Sequence, residues 1–155
     1  MHPGLLELHD GNIRYRIDGE TVWELPVSSI RVVGEATNDS GPFLDDYFFC
    51  FATDADTWYE ASFYANGRDE FLKAFAAIVE CELALKLMAS TDFESNVLWP
   101  PHLAGGRMFL YKPALPTTWI GRLVGRFTGA WRNTQWFSDE VLAELRAEGR
   151  TKRYT

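Results

Sequence analysis

The chain is poor in the residues that make reactive or cross-linked sites. Two cysteines occur in 155 residues, Cys50 inside a strand-like run and Cys81 inside a helix-like run. A small disulfide scaffold needs more, so both read as buried thiols in a reducing compartment. Neither has a neighbouring histidine or basic residue in sequence to lower its pKa, which argues against a thiol nucleophile. The three histidines, His2, His9 and His102, show no ligand spacing, which argues against a zinc site. The glycines form no phosphate-binding loop after a strand. No run approaches the roughly 20 apolar residues of a membrane span. Met1–Glu7 has neither the basic start nor the apolar core of a secretory signal. The expectation is a cytoplasmic, soluble protein without cofactor, metal or catalytic residues.

Aromatic side chains are plentiful. They make up 15% of the sequence and occur in every segment, and 46% of residues are hydrophobic. Such a chain folds, and at this length it buries enough surface to need neither disulfide nor metal. Charge is unevenly spread. Residues 1–104 hold 18 acidic and 6 basic side chains, whereas residues 105–155 hold 4 acidic and 9 basic ones. Most of the body would repel phosphate, so nucleic acid is an unfavourable partner. The basic tail either folds back on the acidic body or offers a surface to a partner.

The first part of the chain reads as strands. Ile13, Tyr15 and Ile17 alternate with Arg14 and Arg16. Asp10-Gly11 and Asp18-Gly19 are hairpin turn pairs that join this strand to Leu5–His9 and to Thr21–Leu25. Ile30–Ala36 is a fourth strand, and residues 45–51 and 57–64 form a hairpin across Thr53–Asp56. A helix follows from about Arg68 to Met88. Phe71, Leu72, Phe75, Ile78, Val79 and Leu83 form its apolar stripe, with Asn66 as N-cap and a Glu82–Lys86 pair one turn apart. Residues 96–117 carry four prolines and read as irregular chain with a short edge strand at Met108–Tyr111. Ser138 caps a last helix, Asp139–Glu148, with Phe137 and Leu142 placed as a hydrophobic staple.

Six strands followed by one long helix resembles the pleckstrin-homology-like barrel over roughly residues 4–88, on element order alone. The resemblance implies a binding module and no catalysis. The expected fold is α+β: an antiparallel sheet or pleckstrin-homology-like barrel of about six strands capped by one long helix, with a helical C-terminal extension. The expected organisation is residues 1–90 as sheet and packed helix, then residues 91–155 as a basic extension.

Two acidic groupings invite a chemical reading. Asp54-Ala55-Asp56-Thr57 looks like the nucleophile loop of haloacid-dehalogenase-type phosphatases, but that family needs a parallel α/β sheet after the motif, and here another strand follows at once. Asp45 and Asp46 with Asp39 could hold a divalent ion, though acids that open a strand after a turn explain them. A small metal-dependent hydrolase built from Asp45, Asp46 and Asp54 therefore ranks last.

The unusual segment is Trp119–Trp131. Gly121, Gly125 and Gly129 recur every four residues and would form a ridge on a helix. Ile120, Leu123, Val124, Phe127 and Trp131 face a second way, and Arg122 and Arg126 a third. Each helical glycine costs about 1 kcal/mol relative to alanine, so close approach of another surface should offset three of them, either the 68–88 helix or the last helix of this chain, a partner or second copy, or a membrane. The candidate interaction residues are thus Trp119, Gly121, Arg122, Gly125, Arg126, Gly129 and Trp131. The expected function is an intracellular protein-interaction or scaffolding module that binds a protein partner or itself. The alternative is a peripheral membrane-surface binder, with the tryptophans at the interface and the arginines toward anionic lipid.

Overall fold

The computed structural model describes residues 3–39, 45–90, 92–113 and 133–147. Over them the chain is α+β, with three antiparallel sheets and two helices. The first sheet is a meander of β1 (Leu5–His9), β2 (Asn12–Ile17) and β3 (Glu20–Pro26). Both of its turns are two-residue loops with positive φ at each position, Asp10 and Gly11 in one and Asp18 and Gly19 in the other. That backbone is the hairpin turn whose twist matches the strands, and Asp-Gly is suited to it.

The second sheet contains β4 (Val32–Thr37), β5 (Tyr47–Asp54), β6 (Thr57–Ser62) and β7 (Glu94–Trp99), in the order β6-β5-β4-β7. The third pairs β8 (Phe109–Pro113) with β9 (Asn133–Phe137). Helix α1 spans Arg68–Val79 and helix α2 spans Asp139–Arg146. No helix among the described residues is long and apolar enough to cross a membrane.

The four-stranded sheet is buried on both faces, which makes a three-layer body. Tyr47, Phe49 and Phe51 of β5 join one core with Ile13 and Leu25 of the meander and Phe71, Phe75 and Val79 of α1. The alternate residues Cys50 and Ala52 join a second core with Phe109, Phe137, Val141 and Leu145. A continuous apolar run such as Tyr47–Ala52 is what a strand covered on both sides requires. Trp23 ties the layers together. Its indole N–H donates to the Glu60 carbonyl at 2.8 Å, and its ring packs on Tyr15, Phe51 and Tyr59 at centroid distances of 5.4–5.9 Å. The two free cysteines lie on opposite faces, Cys50 in the second core and Cys81 against the first, so no bridge joins them.

Several expectations are corrected. No closed barrel is found among the described residues, because β3 and β4 belong to different sheets and β4 pairs with β5 and β7. Residues 96–99, expected as the start of irregular chain, belong to β7, which runs along β4. Helix α1 ends at Val79, not near Met88, because Glu80 takes a left-handed conformation at φ 51 and the Cys81 N–H turns back to the Ala76 carbonyl at 3.2 Å. Cys81, Leu83, Leu85 and Leu87 then alternate inward, while Glu82, Ala84, Lys86 and Met88 are exposed. The expected Glu82–Lys86 pair on a helix is therefore not formed. Ile78, expected on the buried stripe, is 38% exposed.

The N-cap is Gly67 at φ 79 and not Asn66, whose backbone is taken up by the first strand. The Leu6 N–H donates to the Asn66 carbonyl and the Asn66 N–H donates to the Gly4 carbonyl, each at 2.9 Å. A Cβ on Gly67 would stand 2.6 Å from the Leu6 carbonyl oxygen, so this turn needs glycine. Ser138 caps α2 as expected, its hydroxyl accepting from the Val141 N–H at 3.4 Å.

Candidate functional site

Trp119, Gly121, Arg122, Gly125, Arg126, Gly129 and Trp131 lie outside the described residues, as does the expected helix over 118–131. The described chain fixes the two ends of the segment that carries them. β8 and β9 pair from Phe109 with Phe137 to Pro113 with Asn133. The described chain on either side of residues 114–132 is therefore paired, Pro113 with Asn133. That connection is 19 residues long, with three arginines and no aspartate or glutamate.

The base of this ribbon is held firmly. Phe109 and Phe137 are buried and stack at 5.4 Å, and Trp58 of β6 meets them at 5.2 and 5.1 Å. The Ser95 hydroxyl of β7 accepts from the Met108 and Phe109 N–H groups at 3.2 and 2.9 Å, and the Ser138 N–H donates to the Met108 carbonyl at 2.8 Å. The Tyr111 hydroxyl donates to the Glu94 carbonyl at 3.3 Å, and its ring lies 5.6 Å from Phe93. Burial pushes the Tyr111 phenol well above its ordinary pKa, and the nearby Cys50 adds to the effect. Arg31, in the connection before β4, secures the far end of α2. Its guanidinium donates to the Leu145 carbonyl at 2.9 Å, to the Glu144 carbonyl, and to the Ala147 carbonyl at 3.3 Å. These carbonyls lie at the helix C-terminus, where the intrahelical ladder runs out, and the charge opposes the negative end of the dipole.

Two clefts flank the ribbon base. One of about 530 Å³ is lined by Lys86, Asp92, Glu94, Asn96, Arg107 and Tyr111. The other, about 540 Å³, is lined by His102, Leu103, Arg107, Leu110, Asp139 and Glu140. Both hold charges of both signs. His102 Nε2 lies 2.9 Å from a Glu144 oxygen, linking the loop before β8 to α2.

The acidic groupings do not converge. Asp54 Oδ1 accepts the Asp56 N–H at 2.8 Å, so the Asp54 carboxylate closes the β5–β6 turn. Asp46 accepts from the Tyr64 hydroxyl at 2.7 Å, which raises the Tyr64 pKa. Among the described residues no three His, Cys, Asp or Glu side chains stand close enough to hold a metal ion. Burial drives the Cys50 thiol pKa well up.

Sequence reasoning missed Glu35. It is fully buried in β4 and accepts from the Lys86 N–H at 2.6 Å, from Asn96 Nδ2 at 2.8 Å and from the Tyr47 hydroxyl. Burial first, and then the Glu35 hydrogen bond, push the Tyr47 phenol far above its ordinary pKa. The visible signal was a single acid inside the run Val32–Ala36, where an apolar residue is the norm. Its three donors come from β5, β7 and the chain after α1, so it joins these elements and faces no cleft chemistry.

No family model matches the chain, and neither does any curated protein or any solved structure, so its functional reading rests on these residues and their geometry.

Proposed function

We propose that the protein is a non-enzymatic interaction or scaffolding module that binds a protein partner or a second copy of itself through the connection carried by β8 and β9. The observation that carries this reading is the pairing of Pro113 with Asn133. It holds both ends of a 19-residue connection at one point on a packed base. The connection contains Trp119, Ile120, Leu123, Val124, Phe127 and Trp131 beside Arg122, Arg126 and Arg132. Large aromatics with arginine are the composition of interaction hot spots. Loops placed by a rigid scaffold are where binding residues concentrate. The order of six strands and then a helix resembles that of pleckstrin-homology-like binding modules, one strand short of their usual seven, and supports the same reading by analogy.

The ends of the connection suggest the test. Strands in register at Pro113 and Asn133 can be joined by a two-residue Asn-Gly turn in place of residues 114–132. The shortened chain should keep its thermal stability. Its mass in solution, measured over a concentration series, should stay monomeric where the full chain assembles or captures its partner. A shortened chain that assembles as the full chain does would refute the reading. A full chain that stays monomeric and binds only anionic vesicles, with binding lost in Arg122→Glu with Arg126→Glu, would replace it with the membrane-surface reading.

A further inference from the structure

The segment after α1 is extended against its own local preference. Residues 80–88 read Glu-Cys-Glu-Leu-Ala-Leu-Lys-Leu-Met, without glycine or proline. Glutamate, leucine, alanine, lysine and methionine are among the best helix formers. Nothing in this composition ends a helix, yet α1 stops at Val79 and Glu80 is left-handed at φ 51, ψ 44. Glycine is the residue that takes this position without steric penalty.

Tertiary contacts hold the segment out. Leu87 is buried, and Cys81, Leu83 and Leu85 pack against the first core. The Lys86 N–H donates to Glu35 Oε1 at 2.6 Å, and Asn96 Nδ2 donates to the Ala84 carbonyl at 3.2 Å while also bonding Glu35 Oε1 at 2.8 Å. One buried carboxylate and one buried amide thus grip the segment at alternate residues.

We infer that residues 80–88 are a two-state strap, latched extended on the sheet by Glu35 and Asn96, whose released state continues helix α1. Local propensity and the left-handed Glu80 favour release. Burial of Leu87 and completion of the Glu35 hydrogen bonds favour the latch. Release opens the first core beneath Leu87 and removes one wall of the 530 Å³ cleft, which Lys86 and Leu87 line. The shape of that cleft is coupled to the latch.

Native-state amide exchange on the full chain tests this. The Lys86 amide, bonded to Glu35, reports the latch, and the amide of the fully buried Phe51, in the middle of β5, reports global unfolding. Lys86 should exchange at least tenfold faster than Phe51. Glu80→Gly removes the left-handed penalty in the latched state and disfavours helix in the released one. It should slow Lys86 by roughly 5–30-fold relative to Phe51. Glu35→Gln should accelerate Lys86 and increase the far-UV helical signal, and adding Ala84→Pro, which a helix does not tolerate, should abolish that increase. Equal exchange of Lys86 and Phe51 in the unaltered chain would overturn the inference, as would a Lys86 rate unchanged by Glu80→Gly. A folded Glu35→Gln protein with no added helix would overturn it too. The Glu80→Gly arm decides the question even if Glu35→Gln does not fold.

Discussion

Replacing Tyr47 by phenylalanine should destabilise the protein at neutral pH and lose most of that effect in alkali. The ring stacks on Phe63 at 3.8 Å and 4°, a contact phenylalanine keeps. What is lost is the hydroxyl that donates to the buried Glu35 carboxylate. A buried acceptor deprived of its donor costs about 1–3 kcal/mol. The pH dependence follows from the raised Tyr47 pKa, caused by burial and then by Glu35. In the unfolded chain tyrosine ionises near pH 10, while in the folded chain it stays neutral beyond that. The unfolded state therefore binds fewer protons above pH 10, and stability falls as pH rises. By linkage a single such tyrosine removes about 0.4 kcal/mol at pH 10 and about 1.4 kcal/mol at pH 11. Phenylalanine has nothing to ionise, so this loss occurs only in the parent. Tyr111, also raised by burial, contributes equally to both proteins and cancels. Urea unfolding followed by tryptophan fluorescence from pH 7 to 11 measures the difference directly. The stability gap between parent and Tyr47→Phe should be constant to about pH 9 and narrow by about 1.4 kcal/mol at pH 11. A gap that stays constant across the range would refute the reasoning, because Tyr47 would then titrate alike in both states.

Phe75→Ala empties a site in the first core where the ring is 1% exposed and packs on Phe71 and Trp99. It should cost about 3–5 kcal/mol and lower the melting temperature by roughly 6–20 °C, and an unchanged melting temperature would contradict this placement. Arg31→Ala should cost about 2–3 kcal/mol and speed amide exchange in α2, since three carbonyls at its C-terminus lose a charged donor. Arg31→Lys should recover only about 0.5–1 kcal/mol of that, because a point charge cannot reproduce the fork, and full recovery would show that charge alone matters.

The strands before residue 64 were legible because they are local. Asp10-Gly11 and Asp18-Gly19 fix their turns by backbone chemistry alone, and the alternation around Tyr15 sets buried Ile13 and Tyr15 against half-buried Arg14 and Arg16. The end of α1 was not legible, because its cause lies elsewhere in the chain. Residues 80–88 satisfy a helical pattern as well as a strand one, and Glu35 and Asn96 decide between them from strands β4 and β7. Glu35 is far from the segment in sequence, and Asn96 lies on the next strand along the chain. Strands β7 and β9 were missed for a related reason. Each is short, and each earns its place by pairing with a partner strand, β4 or β8, and not by propensity.

The candidate site shows the same division between local and non-local information. Its composition was visible in sequence: aromatics, arginines and a glycine repeat with no acid among residues 114–132. What sequence could not supply was the frame. The Met108–Tyr111 edge strand was anticipated, but its partner Asn133–Phe137 has only five residues, with Gln135 and Phe137 turned toward the body and Trp136 outward at 45% exposure. A period-two pattern that short carries little information by itself. Once the two strands are paired, the basic segment changes meaning. The residues that flank it, Pro113 and Asn133, are paired with each other. Fixing both ends removes much of the chain entropy that ordering such a segment against a partner would otherwise cost. A segment rich in aromatics and arginine, tethered in this way to a packed base, is therefore better prepared for association than the same residues on a free tail.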